Sequence, residues 1–273
     1  MSKPIIVGAV LYDPKVSVIW DIIGNFFEQN GCPIDTVFYT NYELQVTGLL
    51  DGHLDIAWNS PLAWLDAQHR SRSTCRAIAM RDTDRDRKSF LVAKRSGGLK
   101  TLADLRGKIV ALGAKDSPQA TLIPLGLLGR AGLVSDRDFT VRRFDVLVGK
   151  HGDHIGGELE AFRCVKSGNA DVCAMLDLNW LAWTKDGTID TEQFEVIAET
   201  DLFDHCVFAV RSSFDSAREA EWLKVLYSMS YENPAHREMM DLEGLKAWLP
   251  GRTSGFAALA DAVERLDYFS VQP

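Results

Sequence analysis

Leu54-Asp55-Ile56-Ala57-Trp58-Asn59-Ser60-Pro61-Leu62-Ala63-Trp64 reads as an apolar strand that runs into a Ser-Pro step and then a helix. A second stretch repeats the arrangement: Lys108-Ile109-Val110-Ala111-Leu112, a turn at Gly113, then Asp116-Ser117-Pro118-Gln119-Ala120-Thr121. Serine is a preferred N-cap, and proline suits the first helical position, where its missing N–H would be unpaired anyway. The free N–H groups and the positive end of the helix dipole then point off the carboxyl end of a strand, where an anionic or strongly polar ligand can be held. Two such junctions, in separate halves of one chain, predict a ligand gripped between two lobes.

Outward from these junctions, strands and helices alternate. Ile5 to Val10 reads as the first strand. Val16 to Phe27 has helical spacing, Ile34 to Tyr39 is a strand and Tyr42 to Leu50 a helix. Strands are also expected at Cys75 to Met80, Phe90 to Ala93, Phe139 to Phe144, Asp171 to Met175 and from Phe194. Helices are expected at Glu158 to Lys166, Leu178 to Thr184, Ala217 to Met229, His236 to Met240 and Phe256 to Leu266. Strands separated by helices predict parallel connectivity with ligand groups at strand carboxyl ends. The charged segment Arg81 to Lys88 and the segment Asp201 to His205 are the expected crossovers and hinges. They divide the chain into a first lobe at 1–85, a second at 86–202, and a return to the first lobe with C-terminal helices at 203–273. A short echo supports related lobes: Gly52-His53-Leu54-Asp55-Ile56-Ala57 parallels Gly168-Asn169-Ala170-Asp171-Val172-Cys173.

Composition narrows the classes. The 273 residues are 46% hydrophobic and 25% charged, as in ordinary globular proteins, and the net charge of −8 argues against a nucleic-acid partner. No apolar run approaches the roughly 18 residues of a membrane span, so no membrane insertion is expected. Met1-Ser2-Lys3-Pro4 leads at once into the first strand without the features of a secretory leader. As written, the chain therefore reads as cytoplasmic, or as periplasmic with its leader removed. Five cysteines, odd in number and without a CxxC pair, signal neither a disulfide framework nor a structural zinc site.

Gly52-x-x-Asp55-Ile56-Ala57-Trp58-Asn59-Ser60-Pro61-Leu62-Ala63 resembles the first-lobe signature of phosphonate-type solute-binding proteins of ABC transporters. Leu102-Ala103-Asp104-Leu105-Arg106-Gly107-Lys108-Ile109-Val110-Ala111-Leu112-Gly113, with Asp116-Ser117 and Leu122-Ile123-Pro124, is similar to the second-lobe segment. The resemblance runs from about Ile5 to Phe208. It implies an α/β chain of the two-lobed type 2 periplasmic-binding-protein fold, with two crossovers between the lobes, closing on a small ligand. One departure stands out: the family's Ser- and Thr-rich loop is here Ser117 followed by Pro118, Gln119 and Ala120.

The residues following strand ends are the expected ligand contacts. From the first lobe these are Tyr12, Asp13, Tyr39, Asn41, Asn59 and Ser60. From the second they are Asp116, Ser117, Gln119, Thr121, Lys150, His151 and Asp177, with Asn179 nearby. The segment Gly149-Lys150-His151-Gly152-Asp153-His154-Ile155-Gly156-Gly157 is not explained by the resemblance. His151, Asp153 and His154, with His205 at the return crossover, are candidates for acid–base chemistry; His151 and His154 are also candidates for a divalent metal. The alternative is a polar surface loop. Two functions follow: a receptor for a small polar or anionic molecule, needing no cofactor and partnered by a permease, or a cytosolic lyase or metal-assisted enzyme on the same scaffold.

Overall fold

The computed structural model describes residues 3–151 and 156–271. In chain order, β1 (Ile5–Val10) leads to α1 (Lys15–Gln29), β2 (Ile34–Tyr39), α2 (Tyr42–Leu50), β3 (Ile56–Asn59), α3 (Pro61–Ser71) and β4 (Arg76–Arg81). Then come β5 (Ser89–Lys94), β6 (Ile109–Leu112), α4 (Ile123–Arg130), β7 (Thr140–Arg143), α5 (Glu158–Lys166), β8 (Val172–Leu176), α6 (Asp177–Lys185) and β9 (Phe194–Glu199). The chain ends with β10 (Val207–Val210), α7 (Ser216–Tyr227), α8 (Pro234–Glu243), β11 (Trp248–Pro250), α9 (Ala257–Arg265) and α10 (Tyr268–Val271).

Two compact units result. The first comprises the chain up to Arg85 and Asp204–Ser254; the second comprises Asp86–Phe203 and the chain from Gly255 on. The first is built on a six-stranded sheet in the order β11-β4-β10-β3-β1-β2, the second on a five-stranded sheet in the order β7-β6-β8-β5-β9.

In the first unit, the stripe Val16, Ile19, Trp20, Ile23 and Phe27 puts one face of α1 into the core, as a 3.6-residue period requires. It packs with Phe208, Trp222 and Trp248 around the sheet. Asn41 starts α2 by accepting the Leu44 N–H at 2.8 Å. In the second unit, alternate strand residues feed opposite faces of the sheet, the period-2 rule for strands. Leu91, Val110 and Leu112 join Leu105, Leu128 and Phe139 on one face. Val92, Ala111, Cys173 and Met175 join Phe162, Val165 and Trp183 on the other.

Three expectations are corrected. The sheets are mixed rather than parallel, because β10 runs antiparallel to β3 and β4, and β5 antiparallel to β8 and β9. An apolar run carries no direction, so the reversal was not visible in sequence. The short strands β10 and β11 were also not expected among the C-terminal helices. Finally, residues 255–271 do not return to the first unit but belong to the second. There α9 packs on α4 through a small-residue contact, close enough that a Cβ at Gly126 would lie 2.7 Å from the Ala262 Cβ.

Candidate functional site

In the second unit the antiparallel entry of β5 matters for chemistry. Ser89 at its start pairs with Leu176 at the end of β8, so the amino end of β5 joins the carboxyl end of β8. Polar side chains collect there. After β6, Ser117 caps a single π turn over Pro118–Leu122, its Oγ accepting the Ala120 N–H at 3.2 Å; such turns recur at functional sites. Asp116, Ser117, Gln119 and Thr121 are all buried, Gln119 and Thr121 completely. Ser89 Oγ donates to the Gln119 carbonyl at 2.7 Å and fixes the turn to β5. Thr121 Oγ1 is buried without a hydrogen-bond partner among the described residues.

Glu158, the first residue of α5, is the group the sequence reading passed over. It is fully buried. Two glycines bring it in: the Gly156 carbonyl accepts the Ala114 N–H at 2.8 Å, and a Cβ at Gly157 would sit 2.0 Å from the Phe144 carbonyl oxygen. Its Oε2 accepts the Leu176 N–H at 2.9 Å and the Asn179 amide at 2.6 Å, while Oε1 has no partner among the described residues. Burial raises its pKa to about 7, opposed in part by hydrogen bonds from Asn179, the Leu176 N–H and Gln119. Asp177 is also raised, chiefly by burial, with Arg87 at 3.4 Å working the other way. An acid in the first turn of a helix is ordinary in sequence, and only the Gly156-Gly157 pair ahead of it hinted at close approach.

The loop after β7 is tied to this end by Asp116, whose Oδ2 accepts the Gly149 N–H at 2.6 Å. His151 is buried with φ of 53°, and Lys150 is half-buried. Asp153 and His154 lie outside the described residues, so the paired-histidine metal site and the full acid–base loop are not described.

In the first unit, Tyr39 and Asn59 end β2 and β3, and Tyr12, Asp13, Asn41 and Ser60 follow the carboxyl ends of β1, β2 and β3. Asn41 caps α2, and Asp13 accepts the Lys15 N–H at 2.8 Å. Asn59 is fully buried; its Oδ1 accepts from Gln45 Nε2 at 2.8 Å, and its Nδ2 has no partner among the described residues. Gln45, on α2, was the second residue missed, since nothing in an amphipathic helix marks one amide as buried. Ser60 caps α3 through the Ala63 N–H at 3.1 Å.

His205 precedes β10 and is buried with Asp84, its Nδ1 3.6 Å from the carboxylate and 3.1 Å from Cys206 Sγ. Asp84, His205 and Cys206 offer donor atoms within 4.8 Å of one another. Arg81 already holds both Asp84 oxygens, at 2.6 and 2.9 Å, and reaches Glu243 at 2.9 Å. Burial works against the Arg81 charge, but Asp84 and Glu243 outweigh it and raise its pKa well above the ordinary range. A cation beside this guanidinium would be repelled, so the group does not fit a metal. His205 belongs to the first unit and His151 to the second.

Known proteins match this architecture. The model of the family described as "ABC transporter, phosphonate, periplasmic substrate-binding protein" matches residues 15–256. The probable ABC transporter phosphite binding protein PhnD1 of Prochlorococcus marinus is 22% identical over 83% of this chain and 76% of its own. The structure of that protein with methylphosphonate superposes with a TM-score of 0.73 at 19% identity, covering 97% of this chain and 98% of the other. XAC2383 of Xanthomonas citri, bound to ATP, gives 0.75 at 17% identity over 99% and 100%. The fold expected from the sequence therefore holds, and the receptor reading is favoured over the enzyme. Among the described residues no helix is long and apolar enough to cross a membrane. The chain belongs to the phosphonate-type periplasmic substrate-binding proteins of ABC transporters, and binds a small polar or anionic molecule.

Proposed function

We propose that the ligand is a small oxyanion of the phosphite or phosphonate kind, held for delivery to an ABC transporter permease in the periplasm. The observation that carries this reading is the buried Asn59 Nδ2 at the head of α3, a donor without a partner among the described residues. A buried unpaired donor costs about 1–3 kcal/mol, which a bound oxygen would recover. Thr121 Oγ1, in the turn capped by Ser117, is likewise buried without a partner among the described residues. The names of the relatives support the same class, since one is called a phosphite binding protein and its structure holds methylphosphonate.

Fold alone does not choose among oxyanions, and XAC2383 holds ATP. Gln119 and Ala120 stand where hydroxyls are expected from the family resemblance, which favours a ligand recognised by amide groups as well as hydroxyls. Isothermal titration with phosphite, methylphosphonate, methanesulfonate and ATP tests the reading. Binding of phosphite or methylphosphonate at least tenfold tighter than methanesulfonate and ATP supports it; tighter binding of either of the latter overturns it.

A further inference from the structure

We infer that Glu158 is a positioning residue that ties the affinity of the second unit for an oxyanion to pH. Its neutral carboxyl group holds Asn179 and the end of β8 in place, and its ionised form sets a buried negative charge against the ligand. This rests on the oxyanion reading above.

The geometry carries the argument. Glu158 is fully buried, with Oε2 clamped by the Leu176 N–H and the Asn179 amide. A protonated Oε1 would be a hydrogen-bond donor, whereas an ionised Oε1 would be a buried acceptor with no donor facing it among the described residues. Among the described residues, the groups that contact its carboxylate are neutral donors. On α6, Asp177 adds a negative charge, and its own counterion is Arg87. On β8 the titratable group is Cys173, whose pKa burial pushes upward. On β5, Lys94 lies at the far end of the strand, its Nζ about 4.0 Å from where a Gly168 Cβ would be, and β6 carries no titratable side chain. Along α5 itself, Glu160, Arg163 and Lys166 are half-buried or exposed. The raised pKa of Glu158, about 7, places the change near neutrality. Loss of a proton there disfavours an arriving anion, because like charges in a poorly solvated site repel strongly.

Glu158→Gln keeps the shape and the acceptor for Leu176 and Asn179 while removing the titration. The experiment measures methylphosphonate affinity by calorimetry from pH 6 to 8, for the wild type and E158Q. The ligand's own ionisation cancels in the ratio of the two dissociation constants. The wild type is expected to weaken relative to E158Q by about tenfold across that range, one proton's worth of linkage. Asp177→Asn removes a neighbouring negative charge that helps keep Glu158 protonated, so it should move the inflection in affinity to lower pH, and it serves if E158Q does not fold. A ratio independent of pH, with both proteins binding, overturns the inference and leaves the oxyanion reading standing. Failure of both proteins to bind at any pH overturns the oxyanion reading and the inference with it.

Discussion

The two units solve the problem of polar groups at a buried strand end in opposite ways. In the first, the charges are matched: Arg81 spans Asp84 and Glu243, and Arg252 holds the buried Asp204 at 2.6 Å through two nitrogens. What remains open there is neutral, the Asn59 amide beside Gln45. In the second, Glu158 is clamped by neutral donors alone. The arginine–carboxylate pairs keep their charges near neutrality, whereas a buried acid held by amides exchanges a proton where its burial and its hydrogen bonds balance. The first unit is therefore read as rigid support for a neutral amide contact, and the second as the part that responds to protons.

The largest test of this contrast is Arg81→Met. Removing the guanidinium strands Asp84 and Glu243, and breaking a buried pair from one side costs about 3–5 kcal/mol. Urea denaturation at pH 7 should show that loss. A change under 1 kcal/mol would mean that the first unit's charges are not mutually dependent.

Next comes pH. Glu158 has a folded pKa of about 7 against an ordinary value of 4.5, so its neutral form is favoured by folding. Its contribution is fully present below pH 4.5 and is lost as pH rises through about 7. The distance of that pKa from the ordinary value corresponds to about 3 kcal/mol. Denaturation at pH 5 and pH 8 should show the wild type losing up to that amount relative to Glu158→Gln. Parallel behaviour of the two proteins would remove the contrast.

A steric test follows. At Gly113 an added Cβ would lie 2.1 Å from the Gly156 carbonyl oxygen and 2.6 Å from the Ala120 Cβ. Gly113→Ala should cost about 1–3 kcal/mol through overpacking, and by pushing on Gly156 it should also lower the Glu158 pKa as the burial loosens. A stable variant with unchanged stability–pH behaviour would separate the turn from the acid. The smallest effect is at a cap: Asn41→Ala should cost about 1 kcal/mol, read from the thermal midpoint, with no change in pH response.

Much of this was legible in sequence, and the reasons are specific. The strand Ile34–Tyr39 and the helices Tyr42–Leu50 and Glu158–Lys166 were bounded correctly because periodicity and capping agreed there. Strand direction was not legible, since β5 and β10 look the same read either way. Helix partners were not legible either: the stripe on α9 announces a buried face, but the choice of α4 depends on Gly126 meeting Ala262. Of the candidate site, the residues at strand ends were expected from topology. Gln45 and Glu158 were missed because burial of a single polar side chain leaves no periodic trace.

The central claim, that this chain binds a small oxyanion, with Asn59 and Gln119 as proposed contacts, is tested most directly by the 31P resonance of methylphosphonate at pH 6. With the wild type the line should broaden or shift as ligand exchanges with the protein. With Asn59→Ala, Gln119→Ala combined it should return toward that of free ligand, while the surface control Lys224→Ala behaves as wild type. An unperturbed line with the wild type, or equal broadening with the double variant, would contradict the account.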